Sequence, residues 1–77
     1  MENHLTNIQE VFTALDTIKN NIVWYNVYNN TVKVQLCSLY RKKYYLLGKP
    51  KVYTFDSLNL LNQFVNMLGN CKLQKVK

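Results

Sequence analysis

The chain has 77 residues, 48% of them apolar, with one proline, two glycines and a net charge of +6, which is the composition of a folding polypeptide and not of a disordered one. That length suits a single small domain, and no stretch approaches the roughly 18 consecutive apolar residues of a membrane-spanning helix. Three of the four acids (Glu2, Glu10, Asp16) precede residue 17, whereas all ten Lys and Arg lie from Lys19 onward, opposed only by Asp56. Such asymmetry points to a polyanionic or acidic partner for the later part of the chain.

Leu5, Ile8, Val11, Phe12, Leu15 and Ile18 recur at three- and four-residue steps, and Thr6 with Gln9 matches a capping box, so a helix is expected over about Thr6 to Lys19. Asn20-Asn21 ends it. The β-branched and aromatic run Ile22 to Tyr28 reads as a strand, Asn29-Asn30 as a two-residue turn with positive φ, and the alternation after Thr31 as its hairpin partner. Tyr40 to Lys43 is expected to turn again into a strand at about Tyr44 to Leu47. Gly48-Lys49-Pro50 then breaks the run, and Lys51 to Phe55 resumes as an edge strand or a lead-in, leaving three strands or four.

Asp56 or Ser57 can cap a second helix, and Gly69 is placed for a left-handed C-terminal residue. On a helical wheel its apolar residues cover half the circumference, more than one sheet needs, so Leu60 and Met67 are expected to offer a partner or dimer face. The expected fold is α+β: a two-layer sandwich of helix, three- or four-stranded antiparallel sheet, and helix, with both helices on one face and the other face open. One domain over 1–77 is expected, with an ordered core from about 5 to 69 and a flexible basic tail over 70–77.

A catalytic reading finds little to work with. His4 is the only histidine and has no companion at metal-ligand spacing, and two glycines cannot build a nucleotide-binding loop. The chain is therefore expected to be non-enzymatic, with no cofactor and no metal. Cys37 reads as a small buried hydrophobe and Cys71 as a tail thiol. An N-terminus with an acid where a secretory signal needs positive charge gives the expectation of a cytoplasmic protein.

The strongest functional signal is "SLYRKKYYLLGKPKVYTF", Ser38 to Phe55, with five cations, four tyrosines and no acid. Lysine and arginine neutralise phosphates with counterion release, and aromatic rings beside them are surfaces on which bases stack. The residues assigned to nucleic-acid binding are Lys33, Tyr40, Arg41, Lys42, Lys43, Tyr45, Lys49 and Lys51. The competing reading is ordinary: tyrosines favour strands, lysines favour turns, and edge lysines keep sheets from aggregating. Asn59, Asn62, Gln63 and Asn66 line the polar face of the second helix; amides can read adenine, but without neighbouring cations they read as surface filler.

The order helix, three strands, helix resembles that of double-stranded-RNA-binding domains. That family carries a lysine cluster at the start of its last helix, where this sequence has "TFDSLNLLNQF" with Asp56, so its RNA-binding role is not carried over. "VWYNVYNNTVKVQL" with "VYTFDSLNLLNQFV" is similar to the arm-binding domains of mobile-element integrases, which lay a three-stranded sheet in a major groove; that likeness covers about forty residues on generic spacing. No family is assigned. The expected function is that of a nucleic-acid-binding accessory protein of a phage or mobile element. The alternative is a small inhibitor or adaptor, such as a phage anti-defence protein, that docks on a host protein.

Overall fold

A computed structural model describes residues 2–76. Seven elements follow in chain order: β1 (Glu2–Leu5), α1 (Ile8–Ile18), β2 (Ile22–Tyr28), β3 (Thr31–Tyr40), β4 (Lys43–Leu46), β5 (Lys51–Phe55) and α2 (Leu58–Gly69). The α+β class and the helix-sheet-helix layout are as expected, but the sheet has five strands and is mixed. Its order is β1-β5-β3-β2, with β4 also paired to β3.

The additional strand is β1, which runs parallel to β5 in the register Glu2↔Val52 to Leu5↔Phe55. Lys51 to Phe55 is thus an interior strand and not an edge. Pro50 is compatible with that because it stands just before β5, where its missing N–H breaks no ladder.

Both helices start at the end of the molecule where Leu5 and Phe55 lie side by side. Asn7 caps α1 by accepting from the Glu10 N–H at 3.0 Å, and the Glu10 carboxylate reaches back to the Thr6 N–H and hydroxyl. The box therefore sits one residue later than the Thr6/Gln9 pair suggests, because Asn7 takes the extended conformation that a cap requires. Ser57 caps α2. Gly69 closes α2 within its last turn, and the right-handed Asn70 follows as C-cap, so no left-handed glycine ends this helix.

Alternation along the strands sends Leu5, Tyr53, Phe55, Val32 and Val34 to one side of the sheet, where they meet Val11 and Ile18 of α1 and Leu61, Phe64 and Leu68 of α2. Phe64 is central, with its ring centroid 5.2 Å from those of Tyr53 and Phe55. Leu60, Val65 and Met67 pack half-buried around this cluster. Leu60 and Met67, expected to offer a partner or dimer face, thus pack in part against the core of their own chain, and the exposed large apolar residue of α2 is Leu58 at its start. Ile8 and Phe12 face outward on α1.

Of the stretch 70–77 expected to be a flexible tail, Lys77 lies outside the described residues, and two others make contacts with the body. Gln74 donates its backbone N–H to the Ile22 carbonyl at 2.7 Å and its side-chain amide to the Asn20 carbonyl, and Cys71 is half-buried against the core.

Candidate functional site

Ten residues make β3 about 33 Å long at the usual rise per residue, close to the 39 Å long axis of the molecule. Its first half lies within the sheet, flanked by β2 and β5. Beyond Leu36 only β4 accompanies it, from Cys37↔Leu46 to Tyr40↔Lys43. Residues 38–47 therefore form a two-stranded finger, and none of them belongs to the core cluster.

The finger and the sheet are joined by an interruption. β4 and β5 pair with β3 in the same antiparallel sense, but four residues, Leu47 to Pro50, stand opposite only two, Gln35 and Leu36. Gly48 takes φ +64 to accommodate the excess, a region where a side chain would be strained. The Gln35 amide, itself buried, bonds the carbonyls of Leu36 and Gly48 and stitches the interruption to the sheet.

Arg41 and Lys42 alone form the turn at the fingertip, with φ of 50° and 68°. A two-residue hairpin turn of this hand is normally occupied by Asn-Gly, since only small or Asx residues enter left-handed space without cost. Cations here give up conformational energy in exchange for projecting charge. The Arg41 guanidinium lies 5.2 Å from the centroid of the Tyr40 ring. In the Asn29-Asn30 turn, by contrast, only Asn29 is left-handed, while Asn30 bonds the Phe55 backbone.

Pairing and alternation fix which assigned residues share a face. Tyr40, Lys43 and Tyr45 point to the helix side of the finger, the side on which Lys51 also lies, paired with Val34. Tyr40 and Tyr45 are about half exposed, and neither Tyr44 nor Tyr45 enters the core. Lys49 is exposed in the interruption. Lys33 is separated from this group: it is opposite Val52 on the open face of the sheet, the reverse side from Lys51.

That open face holds two accessible aromatics that sequence reading passed over. Trp24 and Tyr28 of β2 flank Asn26, the direct partner of Lys33. The signal for them was present in the alternation of β2, where Tyr25 and Val27 take the core side. A one-residue irregularity between Ile22 and Trp24 displaces that alternation, which makes the facing hard to read locally.

None of the acids lies within the finger, although Glu2 begins β1 opposite Val52 and Asp16 stands in the last turn of α1, both toward the finger root. Asp56 pairs with His4 at the end where the helices begin, Glu10 lies in the first turn of α1, and Asp16 is paired with Lys19 at 3.1 Å. Hydrogen bonds from Thr6 hold the Glu10 carboxyl below its ordinary range. At the opposite end Lys49 and Lys51 stand at the finger root, and Gln74 anchors the lysine-bearing tail beside Ile22. Both helices direct their C-termini, the negative ends of their dipoles, toward this cationic end.

Cys37 is buried and free, with its thiol pushed up by burial, and Cys71 is free. Among the described residues no group of three or more His, Cys, Asp or Glu comes together as a metal site. No helix is long and apolar enough to cross a membrane. Comparison with protein-family models, curated proteins and solved structures finds no match.

Proposed function

We propose that the protein is a non-enzymatic nucleic-acid-binding accessory protein of the cytoplasm that grips a phosphate backbone with its finger. The observation that carries this reading is the acid-free ribbon over 38–47, which projects Arg41, Lys42 and Lys43 from its tip with Tyr40 and Tyr45 exposed along one face. A narrow two-stranded ribbon fits a groove or tracks a single strand, and its aromatic rings supply stacking that tolerates any base. Lys49 and Lys51 at the root extend the contact toward the body, and Trp24, Tyr28 and Lys33 form a smaller platform on the reverse side of the sheet.

Fluorescence anisotropy of labelled single-stranded and duplex oligonucleotides, titrated across salt concentrations, tests this. Binding should weaken linearly in log salt, and Arg41→Ala/Lys42→Ala/Lys43→Ala should flatten the slope by about 2 to 3 units. Absence of binding by micromolar protein at low salt rejects the reading.

A second reading is favoured by one observation: Leu39, Leu46 and Leu47 are each more than half exposed on the same finger. Apolar side chains beside cations suit docking on an acidic protein surface, with charge speeding the encounter. Leu39→Ser/Leu46→Ser separates the two. It should leave oligonucleotide binding intact and abolish capture of a protein partner from nuclease-treated lysate.

A further inference from the structure

A second site lies on the body, between α1 and the β1–β5 edge of the sheet. Here a groove of about 310 Å³ is floored by Leu5 and Ala14 and walled by Asn3, Gln9, Thr13 and Thr17, with Tyr53 and Lys51 on its sheet side. Its size is at the small end of ligand cavities.

Tyr53 is the informative residue. It is 2% exposed, yet its hydroxyl has no hydrogen-bond partner among the described residues. No fully enclosed side-chain oxygen or nitrogen is left unpaired there, so the phenol oxygen reaches an opening, and Tyr53 lines this groove. Burial pushes its pKa up to about 12, which keeps the proton in place as a donor at any ordinary pH.

Lys51 supplies charge at the same point. Its ammonium lies 5.7 Å from the centroid of the Tyr53 ring, it is half-buried, and none of the carboxylates of Glu10, Asp16 and Asp56 pairs with it. A buried donor and a half-buried cation converging on a partly apolar groove call for an acceptor that carries negative charge.

The geometry points to this groove as a binding site for a small organic monocarboxylate, its carboxylate between Lys51 and Tyr53 and its apolar body over Leu5 and Ala14. Phosphate is the poorer fit. The groove offers one cation and no arginine fork, and the Glu10 carboxylate on its rim opposes a second negative charge. The site stands apart from the finger tip and does not depend on the nucleic-acid reading.

Benzoate, benzamide and inorganic phosphate, titrated separately into isotopically labelled protein while amide shifts are followed, test the assignment. Benzoate should give saturable shifts at Asn3, Thr13, Thr17 and Tyr53 with millimolar affinity, and neutral benzamide and phosphate should not. Lys51→Met should weaken benzoate about tenfold or more and Tyr53→Phe a few-fold, while Lys49→Met, one turn of chain away and exposed, leaves it unchanged. The site is overturned by absence of saturable shifts at those residues, by benzamide or phosphate matching benzoate, by an unaffected Lys51→Met, or by shifts confined to the finger cations.

Discussion

Tyr53 illustrates how one side chain couples packing to a chemical property. Its ring packs against Phe64 in the middle of the core while its hydroxyl borders water, so burial penalises the phenolate and not the phenol. The consequence for stability has a definite sign. As pH rises above 10, the unfolded chain gives up this proton while the folded chain holds it to about 12, so the folded state loses stability across that window and levels off beyond it. The loss should be on the order of 2 kcal/mol. Urea unfolding of the wild type and Tyr53→Phe below pH 10 and near pH 12 measures it as the change in their difference, which cancels contributions from the five other tyrosines and from Cys37. A difference that stays constant would show the phenol to be fully solvated.

Among the elements, the finger is the one whose local chemistry disagrees with its conformation. Arg41→Asn/Lys42→Gly supplies the residues that a left-handed turn prefers and should raise stability by about 1 to 2 kcal/mol, read from the urea midpoint. The same change removes two of the three tip cations, so oligonucleotide affinity should fall as stability rises. A gain in both would mean that the tip is only a turn. This conflict is also where sequence was informative: the cluster of Arg41, Lys42 and Lys43 marks the tip by composition alone. α1, β2, β3 and α2 were legible for a similar reason, since each carries its own period of apolar residues. β1 was not, because "ENHL" has a single apolar residue and its partner β5 is some fifty residues away. Nor was the groove: its walls come from β1, α1 and β5, and neither Tyr53 nor Lys51 differs locally from an ordinary strand residue. The facing of Lys33 and Lys51 was hidden by the interruption at Leu47 to Pro50, which decides where β5 meets β3.

At the scale of the whole molecule, charge and packing divide the chain into two parts. The body holds every residue of the core cluster, from Leu5 to Leu68, while the finger holds three exposed tip cations and none of that core. An isolated hairpin is marginal in water, so the finger depends on the body for its order, but the body gains little from the finger. Replacing Ser38 to Tyr45 with Asn-Gly, which closes the hairpin at the Cys37↔Leu46 pair, should therefore leave a cooperatively folded protein within about 2 kcal/mol of the parent by urea unfolding. The excision removes Arg41, Lys42 and Lys43 together with Tyr40 and Tyr45, so the shortened protein should lose oligonucleotide binding at moderate salt. Lys51 and Tyr53 remain in β5, so benzoate should still shift Thr13 and Thr17. Unfolding of the shortened chain would show that the finger is structural. Retained oligonucleotide affinity in a folded variant would move the contacts to groups that the excision leaves in place, Lys49 and Lys51 at the root and Lys33 with the Trp24 and Tyr28 rings on the open face of the sheet.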